Sequence, residues 1–147
     1  MVSIKAKKIE LIKTAEDYSA AVGNLKKFNS PLLMEKFVSG VEITVPVIGG
    51  KAMPVVEIRS PGGFYDYDAK YVYAKGRTQY FCPPEKVTPD EQKKAAELAE
   101  RFAAVCGCRD LVRVDFIVDS NGVPMLLEGN SLPGFTATSL VPKSAAV

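Results

Sequence analysis

The sequence predicts an α+β fold in which a mostly antiparallel sheet carries two main helices packed on it. The dipeptides Gly49-Gly50 and Asn121-Gly122 each separate two runs rich in β-branched residues, which is typical of β-hairpins. Two other segments, 15–26 and 88–105, have apolar residues at helical spacing behind a helix-start signal. The chain has 147 residues, enough for one core, so we expect a single unit over residues 1–147.

The first helix is predicted from about Ala15 to Lys26. Thr14 and Asp17 have the spacing of a capping box, in which each residue bonds the other's backbone amide. Asn29-Ser30-Pro31 would end the helix. Residues 2–13 predict a short strand or an extended lead-in. The residues expected to be buried are Tyr18, Ala21, Val22 and Leu25.

The middle of the chain predicts strands and one unusual segment. We expect a strand over 32–38 and a hairpin formed by 41–48 and 51–58, with an edge or a bulge at Pro46. Residues 59–81 hold five of the six tyrosines together with Lys70, and show no sustained period. We interpret this segment as a lid that carries a lysine. A tyrosine-rich hairpin packed on the sheet is an equally good interpretation.

The second helix has a strong start signal in Thr88, Pro89 and Glu91. Gly107 is expected just past its end. Its apolar stripe is predicted to be Leu98, Phe102 and Val105.

We expect the chain to be organised around the hairpin 111–130. If Asn121 and Gly122 form its turn, Asp115 faces Glu128 and Arg113 faces Asn130 on one side of the sheet. Apolar residues that share this side indicate that it is not simply solvated: Leu111, Ile117 and Leu126. The other side is expected to form the core, with Val112, Val114, Phe116, Met125 and Leu127.

Two carboxylates on one side of a hairpin predict a cation. Opposite side chains lie about 4.5–5.5 Å apart at Cβ, so Asp115 and Glu128 repel unless a positive charge lies between them. Hard oxygen ligands with an added amide suit Mg²⁺ or Mn²⁺, and Arg113 could hold a phosphoryl group or an oxyanion. The hypothesis is a Mg²⁺-nucleotide site. A charged sheet face in contact with solvent is the alternative.

The composition excludes several classes of function. Without histidine, there is no Ser-His-Asp or Cys-His nucleophile system. Cys82, Cys106 and Cys108 contain no CxxC pair, so free thiols in a cytoplasmic protein are expected rather than a zinc site. A net charge of +2 does not indicate nucleic acid or a membrane surface, and no apolar run is long enough to span a membrane.

The loop after the hairpin has amides that could bind an anion. Near Gly134 no side chain would block them, and Ser139 and Leu140 stand near the start of a short helix. An ordinary Gly-Pro turn is the simpler interpretation.

Four segments together carry a family resemblance: MEKFVSGVEITV, PVVEIRSPGGFYDYDAKY, CRDLVRVDFIVD and LLEGNSLPGFTATSLVPK. In this order and spacing they resemble the D-alanine–D-alanine ligases of the ATP-grasp superfamily, over about 31–143. FYDYDAKY and NSLPGFTATSLVP are the most specific parts. The resemblance implies that residues 1–147 are a partial ATP-grasp domain, its C-terminal subdomain, without the N-terminal domain and the first ATP-grasp subdomain.

The resemblance also implies roles in nucleotide binding. Glu42 resembles the carboxylate that binds the ribose, Lys70 the lid lysine that reaches the ATP phosphates, and Tyr71 the tyrosine that ties down the closed lid. The hinge that holds the adenine would be Glu35, Lys36, Phe37 and Val38.

Metal and substrate roles follow from the same resemblance. Arg113 and the amide of Gly134 resemble the oxyanion stabilisers, and Ser139 and Leu140 resemble the site for the carboxylate of the second D-alanine. Gly129 departs from the family, which usually has a larger apolar residue there. Two Mg²⁺ or Mn²⁺ ions would be bound by Asp115, Glu128 and Asn130.

The implied reaction is ATP-dependent ligation of two D-alanines through an acyl phosphate, for peptidoglycan precursor synthesis. The implied partners are ATP, D-alanine, and either a missing N-terminal half or a second copy in a homodimer. Two alternatives stay open. One is a nucleotide-binding module without complete catalysis, and the other is a ligase that takes D-lactate or D-serine as its second substrate.

Overall fold

A computed structural model describes residues 12–29, 31–60 and 78–147 of the chain. Most of the expected lead-in and the segment that holds Lys70 and Tyr71 lie outside the described residues. The predicted α+β class is confirmed by an antiparallel sheet with helices packed on it.

Within the described ranges one sheet has the strand order β4-β3-β1-β5-β6, and the short β2 pairs with the end of β1. The strands are β1 Gly40–Ile48, β2 Lys51–Ala52, β3 Val56–Arg59, β4 Gln79–Phe81, β5 Leu111–Asp119 and β6 Pro124–Asn130. The helices are α1 Ala15–Leu25, α2 Pro89–Val105 and α3 Leu140–Ala145, and a 3₁₀ turn follows α1 at Lys26–Phe28. None of these helices is long and apolar enough to cross a membrane.

The two sides of the sheet differ in character. We call the side covered by α2 the α2 face; its core includes Ile43, Val45, Val114 and Phe116. The opposite side, the polar face, presents Glu42, Thr44, Arg113 and Asp115, because side chains alternate along β1 and β5. At one end of the polar face α3 packs Leu140 against Val56 and Ile58.

The third helix, α3, is the short helix expected near Ser139 and Leu140, and it adds to the two main helices. Six residues make fewer than two turns, so α3 is too short to show a helical period in the sequence. Its burial nevertheless positions the end of the chain, because Val141 is fully buried and the Ser144 hydroxyl donates to the Pro54 carbonyl at 2.6 Å.

Helix α2 begins as predicted, with both hydrogen bonds of the capping box between Thr88 and Glu91. Its end is also as predicted, since Gly107 has a φ of +65°. The predicted stripe is wrong at two residues, because Leu98 is 38% exposed and Val105 is 80% exposed, whereas Phe102 is half-buried and packs against the core. Small side chains let the helix lie close to the sheet, and the buried residues are Ala95, Ala99 and Ala103.

The first helix is confirmed, with a complete capping box between Thr14 and Asp17. Ala21 and Leu25 are buried, but the prediction for Tyr18 is wrong because its side chain is 47% exposed. Tyr18 lies in the first turn, before that buried pair. Residues 31–39 have no regular secondary structure, so the predicted strand over 32–38 is also wrong. Its apolar residues do not form a buried face, as Met34 is 66% exposed.

The first predicted hairpin is present, with Gly49 and Gly50 at positive φ in its turn. Its returning strand is interrupted after Ala52, and the register shifts by one between Val47↔Ala52 and Thr44↔Val56. This irregularity lies opposite Pro46, which has no amide hydrogen to give to the ladder. The extra residue of this shift lies on the returning segment, where residues 53–55 stand against 45 and 46 of β1. The edge alternative is wrong because β1 is a central strand in the described part of the chain.

The second hairpin differs from the prediction at its turn. Val118 faces Pro124, and Gly122, with φ of +72°, donates to the Asp119 carbonyl at 3.0 Å. The Asp119 amide also donates to the Val123 carbonyl at 3.1 Å, so these two residues close a three-residue loop, 120–122, rather than Asn121-Gly122 alone. Further along, Leu127 is an extra residue on β6, because Phe116 faces Leu126 while Asp115 faces Glu128. This bulge restores the predicted pairing of Asp115 with Glu128.

The predicted sides of β6 near the turn are wrong for the same reason. Met125 faces Ile117 and so lies on the polar face, whereas Leu126 faces Phe116. Neither Met125 nor Leu127 is in the core, since they are 41% and 39% exposed. In the described part of the chain β6 is an edge strand, with β5 as its one neighbour.

Gly129 faces the aromatic ring of Phe102 on α2, and a Cβ added at Gly129 would overlap that ring. The phenylalanine thus takes the volume that a larger residue would fill. We expect Gly129→Ala to lower the free energy of unfolding by about 1–3 kcal/mol, the usual cost of overpacking. In a Phe102→Leu background the same change will cost less, and urea unfolding of the four proteins measures this coupling. Additive effects would contradict the packing of Phe102 on Gly129.

Candidate metal and nucleotide site

Asp115 is the centre of the polar face and is only 3% exposed. Arg113 binds it with two hydrogen bonds, Nε to Oδ1 at 2.9 Å and Nη2 to Oδ2 at 2.7 Å. The Thr44 hydroxyl, fully buried on β1, donates to Oδ1 at 2.6 Å. Asp115 is therefore held in one orientation by three donors from two strands.

The predicted pairs across the hairpin are confirmed. Asp115 faces Glu128, and Arg113 faces Asn130. Glu128 is exposed, and the Asn130 side-chain oxygen accepts a hydrogen bond from the Leu132 amide at 3.0 Å. Four of the predicted site residues thus share one patch of the polar face.

The residues of this patch fit a divalent cation of the Mg²⁺ type. Within the part of the chain that the structure describes, Asp115 Oδ2 and Asn130 Oδ1 each accept one hydrogen bond and keep a lone pair, and Glu128 adds a second carboxylate. Hard oxygens are the ligands that Mg²⁺ and Mn²⁺ prefer. Among residues 12–29, 31–60 and 78–147 no three His, Cys, Asp or Glu side chains gather at one point.

Glu42 lies on the same face, two residues before Thr44 on β1. It is half-buried and faces Ile58 on one side and Ile117 on the other. Beside it an open cleft of about 350 Å³ reaches Ser60 and Lys86. The predicted ribose carboxylate thus stands at a cavity next to the acidic patch.

Residues 35–38, the predicted adenine hinge, immediately precede β1 in a segment without regular structure. Glu35 and Lys36 are exposed, Phe37 is 42% exposed and Val38 is half-buried. Their role stays a prediction, as do the roles of Lys70 and Tyr71, which lie outside the described residues.

The loop after β6 brings two predicted residues together. A Cβ at Gly134 would lie 3.0 Å from the Ser139 hydroxyl, and that hydroxyl accepts a hydrogen bond from the Thr136 amide, also at 3.0 Å. Leu140 is only 7% exposed and packs on Val56 and Ile58. Its side chain therefore belongs to the core.

A second buried carboxylate, Glu57, was not predicted from the sequence. Oε1 accepts a hydrogen bond from Arg59 Nε, and Oε2 accepts from the Glu85 and Lys86 amides at 2.8 and 2.9 Å. The Arg59 guanidinium stacks 3.8 Å above the Phe81 ring. Burial raises the pKa of Glu57, but the hydrogen bonds from Arg59 and the two amides lower it more, so the pKa lies below its ordinary value.

The antiparallel sheet and the helices packed on it have the fold of ATP-grasp ligases, as comparison with solved structures shows. The family model described as "D-ala D-ala ligase C-terminus" matches residues 6–147. The chain belongs to the D-alanine–D-alanine ligase family, of which it represents the C-terminal portion.

Individual relatives agree. The D-alanine–D-alanine ligase of Actinobacillus pleuropneumoniae serotype 5b is 43% identical over 92% of this chain, which spans 43% of that protein. The Neisseria meningitidis serogroup A ligase is 46% identical over 84% of the chain and 40% of its own length. The structure of D-alanyl-alanine synthetase A from Vibrio cholerae superposes with a TM-score of 0.75 at 28% identity, covering 92% of this chain and 42% of that one. The chain thus spans less than half the length of these relatives.

Proposed function

We propose that this chain provides the metal- and ATP-binding half of a D-alanine–D-alanine ligase, an enzyme that joins two D-alanines for peptidoglycan precursor synthesis. The observation that carries the proposal is the alignment of Arg113, Asp115, Glu128 and Asn130 across β5 and β6. The names of the relatives support the choice of substrates. A cytoplasmic location, where ATP is supplied, belongs to the same proposal.

Asp115, Glu128 and Asn130 would bind Mg²⁺ or Mn²⁺, two ions in all, which neutralise charge on the ATP phosphates. Glu42 binds the ribose, residues 35–38 enclose the adenine, and Lys70 contacts the phosphates. Because Arg113 and Asp115 form an ion pair on rigid strands, the positions of both are set before a ligand enters.

The reaction has two steps. ATP transfers its γ-phosphoryl group to the carboxylate of the first D-alanine, which gives an acyl phosphate and ADP. The amine of the second D-alanine, whose carboxylate is bound near Ser139 and Leu140, then attacks the acyl carbon, and phosphate leaves. Arg113 and the Gly134 amide stabilise the oxyanion of the tetrahedral intermediate. Tyr71 helps to keep the site closed, because water would hydrolyse the acyl phosphate.

A second candidate function is nucleotide binding without complete catalysis by this chain alone. This candidate concerns the 147 residues tested by themselves, which span 43% of the Actinobacillus relative. Both candidates require Mg²⁺·ATP binding, and they differ in whether ligation follows.

The test is a calorimetric titration of the chain with Mg²⁺·ATP. We expect binding by the natural chain and an affinity at least about tenfold lower in Glu128→Gln, which removes one ligand charge from an exposed position. Glu97→Gln, an exposed change on α2, is the matched control and should bind like the natural chain. Phosphate release with D-alanine would then separate the ligase from the binding module. Equal affinity in Glu128→Gln and the natural chain would refute the metal assignment.

A further inference from the structure

Thr44 makes a contact that the roles assigned above do not use. Its side chain is fully buried on β1, directly opposite Asp115 on β5. Its hydroxyl lies 2.6 Å from Asp115 Oδ1 and 3.3 Å from the Val114 carbonyl oxygen. A hydroxyl has one proton, so the short bond to the charged carboxylate is the main one.

Because of this bond, the two carboxylate oxygens of Asp115 have different hydrogen-bond partners. Oδ1 accepts from both Thr44 and Arg113 Nε, which occupies its two lone pairs. Among the described residues, Oδ2 accepts from Arg113 Nη2 alone and keeps one lone pair. Oδ2 is therefore the oxygen that can bind a cation without loss of an existing hydrogen bond.

We propose that Thr44 is a positioning residue: its hydroxyl holds Asp115 Oδ1 so that Oδ2 is the oxygen presented to the divalent cation. The inference rests on the proposed function, because it assumes that Asp115 is a metal ligand. It adds a residue, an atom and a strand to that site. The β1 strand thereby takes part in metal binding through Thr44, although none of the predicted metal ligands lies on it.

Three variants separate positioning from folding. Thr44→Val keeps the shape and removes the hydroxyl, so Asp115 loses one of the donors that fix its rotation. Thr44→Ser keeps the hydroxyl and removes a methyl group. Ser144→Ala is the matched control, because it removes another buried hydroxyl bond of 2.6 Å, from α3 to Pro54.

The probe is Mn²⁺ alone, titrated into the 147-residue chain and its variants, with free Mn²⁺ measured by its electron paramagnetic resonance signal. Circular dichroism at the same temperature checks that each variant is folded. We expect Thr44→Val to bind Mn²⁺ about 10–100-fold more weakly than the natural chain, as for other groups that orient metal ligands. Thr44→Ser should recover most of the affinity, and Ser144→Ala should bind like the natural chain even if it melts at a lower temperature.

Each other outcome has a defined meaning. Equal affinity in Thr44→Val and the natural chain would overturn the role of Thr44 and leave the metal site intact. Equal weakening in Thr44→Ser and Thr44→Val, or weakening in Ser144→Ala, would reduce Thr44 to a packing residue and overturn the proposal. No Mn²⁺ binding by the natural chain would refute the metal assignment itself, and the role of Thr44 with it.

Discussion

Replacement of Glu57 by glutamine is expected to lower the free energy of unfolding by about 3–5 kcal/mol, the usual cost of removing one partner from a buried ion pair. The Glu57 side chain is fully buried and accepts three hydrogen bonds, from Arg59 and from the Glu85 and Lys86 amides. The amide group of glutamine has one acceptor oxygen, so at least one of these donors would face another donor. The connection from β3 to the residues before α2 would loosen as a result.

Urea unfolding measures this loss, and Glu85→Gln is its matched control. Glu85 bonds the same guanidinium at 2.9 Å, but its side chain is 59% exposed, so its removal should cost less than about 1 kcal/mol. If both variants lose a similarly small free energy of unfolding, burial of Glu57 is not what stabilises its ion pair with Arg59.

The difference in free energy of unfolding between the natural chain and Glu57→Gln should also depend on pH. The pKa of Glu57 in the folded protein lies below 4.5, the ordinary value for glutamate. A carboxylate of this kind contributes stability that is fully present above its unfolded-state pKa and is lost as the pH falls through its folded-state pKa. The difference in free energy of unfolding between the natural chain and Glu57→Gln should thus be constant above about pH 5.5 and narrow below 4.5. A difference that grows as the pH falls would have the wrong sign for this model.

Gly40→Ala is expected to destabilise the chain by about 3 kcal/mol, at the upper end of overpacking effects. A Cβ at this first residue of β1 would overlap the Val118 carbonyl oxygen and lie 2.7 Å from Ile117 Cγ2. A backbone oxygen cannot rotate away as a side chain can, so β1 would have to separate from β5. Glu42 lies two residues further along, and the cleft beside it would change shape.

Urea unfolding again provides the measurement, and Gly23→Ala supplies the identical chemical change in open space. Nothing lies within 4 Å of a Cβ added at Gly23, in the last turn of α1. Alanine there should be neutral or stabilising by up to about 1 kcal/mol. A Gly40→Ala protein as stable as the natural chain would mean that the two strands approach less closely than described.

The sequence was most informative where partners are close along the chain. Both capping boxes and the positive φ of Gly49, Gly50 and Gly107 were predictable, because three or four residues decide them. The buried stripe of α2 was not predictable in this way. Alanines pack against the sheet while the larger Leu98 is partly exposed, and that choice depends on how closely helix and sheet approach.

The same rule applies to the site. The pairing of Asp115 with Glu128 was predicted correctly from one hairpin. The true turn shifts the register by one residue from the prediction, and the bulge at Leu127 shifts it back. Thr44 and Glu57 were missed because their partners are distant in sequence: 71 residues separate Thr44 from Asp115, and 28 separate Glu57 from Glu85. Only the assembled sheet brings such residues together.

The strict alternation of sides along β5 has a consequence for how this strand accepts mutations. Val112, Val114 and Phe116 point into the packed core, while Arg113 and Asp115 point to the polar face. A library of substitutions along this strand could be selected once for protein abundance and once for nucleotide binding. The positions sensitive in the two selections would alternate along the strand, with a period of two residues. Substitutions can therefore change the stability of this strand and its ligand binding at two separate sets of positions, which alternate residue by residue.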